Sequence, residues 1–276
     1  MKDFLKVATF RVTSRCNNNC KLCFASKNVE EMGFSELTRL FRLLYSKGIK
    51  AVLLTGGEPL LREDFKEIVG ELKRYSFKIF LETNGDFFFK YKRLISDNID
   101  ELAMPVDFPD RSYRNQGNLK AVLRALDYFK RDKRLMIRIG TVATQENIKA
   151  LSEIGELLKK YPVDIWKIYQ FIPQNLNAVR NRHLLEVAQE DFDEATERLK
   201  KDFSKFFKVV VYKRKEMNKA YFFINPDGTV FMPVDDGDIF QEERIGNIFE
   251  EDIFDRWGKL VSKKNYTGNI KSTFSR

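Results

Sequence analysis

Cys16, Cys20 and Cys23 are the only thiols in the sequence, and all three fall within eight residues. The Cys-x3-Cys-x2-Cys spacing puts three soft ligands on one segment, among Asn17, Asn18, Asn19 and Lys21. Cysteine often packs as a small apolar residue, but these polar neighbours make a poor core. A structural zinc site takes four protein ligands. Here there is no fourth cysteine, and the single histidine, His183, lies 160 residues beyond Cys23. Iron–sulfur clusters are held by thiolates, and three cysteines on four irons leave one iron open to an outside ligand. Of inert packing, zinc and iron–sulfur, spacing and surroundings favour the last. An odd, bunched set of cysteines argues against a disulfide framework. A reducing cytoplasm is the expected location.

The elements that must position these thiols can be read from hydrophobic periodicity. A strand is expected at 7–12, just before Cys16, and others at 51–55, 77–81, 102–106, 135–142 and 165–172. Pro105 weakens the fourth. Between and after them, helical spacing predicts helices near 37–44, 65–72, 91–96, 119–129, 148–158 and 189–201. Six strand–helix units imply parallel strands joined by right-handed crossovers. The α/β class follows, as an open doubly wound sheet or a partial barrel. In either, chemistry belongs at the C-terminal strand ends, where the polar loops after Thr55, Leu81 and Val106 fall. A chain of 276 residues can bury a sizeable core, and 43% hydrophobic with 32% charged residues excludes a mainly disordered chain. No apolar run approaches the ~20 residues of a membrane helix. The opening residues carry Lys2, Asp3 and Lys6 and no secretory apolar core.

Cys16-x3-Cys20-x2-Cys23, with Gly56-Gly57-Glu58-Pro59 after the second strand, resembles the radical S-adenosylmethionine (SAM) enzymes over about 7–201. The resemblance implies a partial (β/α)6 barrel, one [4Fe-4S] cluster held by the three cysteines, and S-adenosyl-L-methionine as cofactor. Glycine permits close backbone approach to a ligand, and the resemblance sets Gly56, Gly57, Glu58 and Pro59 at the cofactor's methionine part. It carries over further cofactor candidates: Asn84 in Thr83-Asn84-Gly85, Arg114, and Thr141 and Asn147, with Val142, at the fifth strand's end. Pro105, in Met104-Pro105-Val106-Asp107, stands where many relatives have serine, so that contact is lost. Leu22 stands where an aromatic residue is frequent, with Phe24 nearby. The implied activity is reductive cleavage of SAM to a 5′-deoxyadenosyl radical that abstracts hydrogen from a substrate, with flavodoxin or ferredoxin as reductant.

Beyond the core (1–206), residues 207–276 form an extension with an expected hairpin at 221–232, turned at Asn225-Pro226-Asp227-Gly228, and a helix carrying Ile253, Phe254 and Trp257. It resembles a SPASM or twitch extension stripped of its auxiliary-cluster cysteines, which implies a single cluster and a hairpin acting as a structural lid. A second resemblance, of 165–170 and the basic segment before Tyr221, is to viperin-like nucleotide dehydratases. It implies a small anionic substrate met by Lys167, Lys213, Arg214 and Lys215. Gly117 and Lys120 are weaker phosphate candidates, better read as a helix start. The net charge of +9 is concentrated: 198–219 carries +7, 256–276 carries +6, and the rest −4. Such patches suit anionic partners or a solvated face. Two alternatives remain: a radical enzyme modifying a peptide or tRNA, and a non-catalytic nucleic-acid-binding module carrying a cluster or zinc. A long polyanion would betray itself by steep salt dependence.

Overall fold

Seven parallel strands form the wall of a curled sheet in the computed structural model, which describes residues 6–111, 118–130 and 135–274. β1 (Val7–Thr13), α1 (Phe34–Ser46), β2 (Ala51–Gly56), α2 (Phe65–Arg74), β3 (Lys78–Glu82), α3 (Phe88–Asn98), β4 (Glu101–Pro105) and α4 (Asn118–Phe129) alternate strictly. β5 (Met136–Ala143), α5 (Leu151–Leu158) and β6 (Ile165–Gln170) continue the pattern. Two short helices, α6 (Asn175–Arg180) and α7 (Arg182–Leu185), intervene before α8 (Gln189–Phe203) and β7 (Lys208–Tyr212). The chain ends with α9 (Arg214–Met217), β8 (Phe223–Ile224), β9 (Thr229–Asp235), β10 (Phe240–Asn247), α10 (Ile253–Leu260) and α11 (Lys263–Phe274).

The sheet order is β10-β9-β8-β1-β2-β3-β4-β5-β6-β7. Strand alternation sorts each side chain to one face. Ala8, Phe10 and Val12 of β1 join the core under the helices, whereas Val7 and Thr9 face the barrel interior. Leu37, Leu40, Phe41 and Leu44 form the buried stripe of α1, and Phe41 meets Phe10 edge-on at 6.2 Å. On β6, Trp166 and Ile168 face the helices while Lys167 and Tyr169 face inward. The partial barrel expected from the sequence is therefore present, with β7 added in parallel beside β6 and the two-residue β8 in parallel beside β1.

The sheet's two ends approach each other at Phe240. Its N–H donates to the carbonyl of Pro173, after β6, at 2.9 Å, and it bridges Gln174. The C-terminal hairpin is thus a wall rather than the expected lid. Residues beyond 207 supply strands to both ends of the sheet: β7 beside β6, and β8 beside β1. Among the described residues, no helix is long and apolar enough to cross a membrane.

Candidate functional site

The loop between β1 and α1 carries the cysteines over the C-terminal ends of the strands. Its base is clamped to β2. Gly57 N–H donates to Thr13 O and Glu58 N–H to Arg15 O, each at 2.8 Å. A Cβ on Gly57 would stand 2.1 Å from Arg15 O, and one on Gly56, whose φ is +138°, 2.3 Å from Thr13 O. The glycine pair is therefore required by the approach of the protein's own backbone, and it also lines the cavity. A second clamp runs to the loop after β3: Asn84 Nδ2 donates to Asn17 Oδ1 at 2.8 Å, and Asn17 Nδ2 donates to Asp86 Oδ2 at 2.7 Å.

Glu58 holds those two clamps together. It is fully buried, and its carboxylate accepts hydrogen bonds from Thr83 Oγ1 (2.7 Å), Asn84 N (2.7 Å) and Leu60 N (3.1 Å). Burial raises its pKa to about 7, against the lowering effect of those three donors. Glu58 is thus a brace between loops and does not line the cavity; Pro59 opens the short 3-10 turn that follows it.

One cavity of about 330 Å³ receives Cys16, Cys20 and Cys23 together with Gly56, Gly57, Thr83, Asn84, Pro105 and Val142. Lys167 and Arg138 line it too, among the rings of Tyr169, Tyr212, Tyr221, Phe80 and Phe223. Arg138 is bound to Glu101 (2.5 Å) and Glu82 (3.1 Å), and donates to the Tyr169 hydroxyl at 3.4 Å. Lys167 is 4% exposed, and burial first, then the field of Arg138, lowers its pKa to about 7.

Other expected site residues lie outside this cavity. Thr141 Oγ1 donates to Val106 O (2.6 Å) and accepts from the Trp166 indole (2.9 Å). The Asn147 amide spans Thr144 N, Asp107 O and Val142 O. Both fix the loop after β5, which carries Val142. Lys213 pairs with Asp193 at 2.7 Å, Arg214 pairs with Asp235 at 2.6 Å, and Lys215 is exposed. The structure therefore separates this basic segment from Lys167, because surface carboxylates hold Lys213 and Arg214 outside the cavity. Arg114 and Gly117 fall outside the described residues; Lys120 lies on α4 and does not line the cavity.

Sequence reasoning passed over Asn18. Its side-chain oxygen and nitrogen are both buried without a hydrogen-bond partner, and it lines the cavity beside the cysteines. Such orphaned groups are expensive, and a polar ligand in the cavity would satisfy them. No motif marks this position; only the geometry does.

The donor set fits a cluster. All three thiols line one cavity, and a cluster takes each thiolate on a different iron. The three cysteines form no disulfide, and Asn18 N–H donates to Cys16 Sγ at 3.4 Å.

Residues 10–158, more than half of the 276, match the family described as Radical SAM superfamily. Over 195 residues the chain is 22% identical to the AdoMet-dependent heme synthase of Nitratidesulfovibrio vulgaris, covering 67% of this chain and 53% of that protein. Over 243 residues it is 28% identical to the probable GTP 3′,8-cyclase of Pyrococcus horikoshii, covering 79% and 71%. The chain spans about half the length of the heme synthase. The crystal structure of Streptococcus suis SuiB bound to S-adenosylmethionine shares the fold, with a TM-score of 0.71 at 16% identity, over 98% of this chain and 68% of that one. The cysteine loop, the glycine clamp against it and the match across the barrel together place this chain in the radical SAM superfamily of enzymes.

Proposed function

We propose that this chain is a single-cluster radical SAM enzyme acting on a compact, largely apolar substrate that presents one acidic group. The observation that carries this reading is the shared cavity, lined both by the three thiols and by Lys167. Cys16, Cys20 and Cys23 hold the cluster, and the whole sequence supplies no cysteine for a second one. Cluster and SAM together supply a carbon-centred radical able to take an unactivated hydrogen. The chain's own residues do the positioning. Gly56 and Gly57 form the ledge under the methionine part, and Asn18 offers it a donor and an acceptor. Glu58, Asn84 and Asn147 fix the loops, and the ring-lined wall excludes water.

Charge decides the substrate class. Among the described lining residues the cations are Lys167, whose Nζ lies 5.5 Å from the Tyr212 ring centre, and Arg138, which pairs with Glu82 and Glu101. A nucleoside triphosphate, as in the name of the GTP cyclases, brings about four negative charges and needs clustered donors to match. Lys213 and Arg214 do not supply them. A monoanion with a ring or hydrocarbon body suits the cavity better. An oxygen-sensitive cluster on three thiolates suits a reducing cytoplasm, with a small electron carrier such as flavodoxin or ferredoxin as reductant.

The test is anaerobic reconstitution with iron and sulfide, then dithionite reduction and assay of 5′-deoxyadenosine. Wild-type protein is expected to bind about four irons and to release 5′-deoxyadenosine, with stimulation by small aryl or alkyl carboxylic acids exceeding that by nucleoside triphosphates. Cys20→Ala is expected to lose both iron and cleavage. Turnover by Cys20→Ala would refute the cluster assignment, and selective stimulation by a triphosphate would refute the substrate class.

A further inference from the structure

Arg11 of β1 lies on the interior face, 2% exposed, five residues before Cys16. Nothing in the motifs singles it out, yet it has an unusual number of partners. Its guanidinium donates to Glu242 Oε1 at 2.7 Å, Ser26 Oγ at 3.2 Å, Asn225 Oδ1 at 3.3 Å and Phe24 O at 3.5 Å. It also sits 4.4 Å from the ring centre of Phe231, 5.2 Å from Phe223 and 5.4 Å from Phe24. Glu242, on β10, in turn accepts from Ser26 Oγ (2.6 Å), Gln174 Nε2 (3.2 Å) and Asn175 Nδ2 (3.2 Å). One ion pair thus joins four segments: β1, the exit of the cysteine loop, the C-terminal hairpin and the connection after β6. Burying such a pair costs desolvation of both charges, which hydrophobic residues of similar volume would avoid.

The location gives the pair a task beyond fastening. Arg11 donates to the carbonyl of Phe24, the residue that follows Cys23, at 3.5 Å. A cation one residue from Cys23 favours electrons placed on a group bound there, and Glu242, paired with it at 2.7 Å, opposes that effect. Net charge and hydrogen bonding around the sulfurs are the protein's levers on a cluster's reduction potential, and charges act strongly through a poorly solvated interior.

We propose that Arg11 and Glu242 form a positioning pair: together they fix the exit of the cysteine loop against the hairpin, and their opposed charges set the reduction potential of the cluster held by Cys16, Cys20 and Cys23. The cysteine-free hairpin thereby acts on the primary cluster through the carboxylate it pairs with Arg11. The proposal rests on the cluster assignment above, so one arm of its test uses iron-free protein.

In the loaded protein, the midpoint potential of the cluster is measured by EPR-monitored redox titration. Glu242→Gln leaves the cation unopposed, so the potential shifts upward. Arg11→Met leaves the carboxylate unopposed, so it shifts downward. The double variant returns toward wild type, and Arg11→Lys, which keeps the charge, stays near it. A purely structural pair would not give opposite signs that cancel. In the iron-free protein, hydrogen exchange of residues 20–28 is expected to quicken in Arg11→Met and Glu242→Gln, with exchange in β3 and β4 unchanged. This arm stands whether or not the variants take up iron. Shifts of the same sign, unmoved potentials, or an unchanged exchange rate in the loop would overturn the proposal.

Discussion

Glu58 shows what a motif residue does for the loops around it. The Gly-Gly-Glu-Pro motif points to a ligand, but the carboxylate turns inward to Thr83, Asn84 and Leu60. Its protonation should register in stability. A carboxyl whose folded pKa is raised to about 7 binds a proton in the folded state that the unfolded chain has already released. Stability therefore falls as pH rises from about 4.5 to about 7 and is level above that, by on the order of 3 kcal/mol for this group. Urea midpoints of wild type and Glu58→Gln across that range should differ in slope, the variant lacking this component; parallel slopes would mean that Glu58 is ionised throughout. The neighbouring glycine is legible in type but not in reason. Gly57→Ala must push a methyl into Arg15 O and should cost about 3 kcal/mol or more, seen as a lower melting temperature even without SAM. Asn18 could not have been found from sequence, because an asparagine among asparagines carries no pattern. Replacing it with alanine should weaken SAM binding about tenfold, the worth of one or two hydrogen bonds, in equilibrium dialysis against the reconstituted protein.

Elements were legible where burial is one-sided and periodic. α1, α4 and the inner strands stand where hydrophobic spacing puts them, because each carries a continuous apolar stripe or run. β10 has no such run: Gln241, Glu242, Glu243 and Arg244 are polar in succession. It is an edge strand, with Gln241, Glu243 and Arg244 exposed and Glu242 partly buried, and edge strands are commonly charged. α11 reads as a basic tail because its apolar content is small. Asn265 ties it to Lys215 O (2.9 Å) and Asn218 O (2.8 Å), and Tyr266 buries its ring: Tyr266 is 3% exposed, its hydroxyl accepts from Lys6 N (3.0 Å) and Val7 N (3.3 Å), and its ring meets Trp257 at 5.1 Å. Tyr266→Phe leaves those two N–H groups without their acceptor and should cost about 1–2 kcal/mol. Tyr266→Ala also removes the ring and should cost about 3–5 kcal/mol. Urea unfolding at unchanged m value reads both, with iron loading of the folded protein preserved. Equal losses would show that the hydroxyl, and not the ring, holds α11.

At the scale of the whole molecule, charges adjacent in sequence are parted in space. In the basic stretch 198–219, Lys213 and Arg214 pair with Asp193 and Asp235. Sequence neighbours need not share a surface, and ion partners come from distant segments. What the barrel keeps inside is the group Glu101, Glu82, Arg138 and Lys167, with Lys167 drawn down to about 7 by burial. Two opposite trends follow. In the free protein, a lysine with a lowered folded pKa is a burden below pH 7 that is relieved as pH rises toward 10.5, because the unfolded chain then holds the proton that the folded one has lost. Stability should accordingly rise between pH 7 and 9 relative to Lys167→Met. Binding of an acidic molecule should run the other way, since it needs the ammonium: affinity for an aryl carboxylate should fall by up to about tenfold per unit above pH 7, and should be weak and flat with pH in Lys167→Met. Calorimetric titration at pH 6, 7 and 8 separates the cases. A wild-type affinity independent of pH would place the substrate's acid elsewhere in the cavity, while leaving the cysteine loop and its chemistry as they stand.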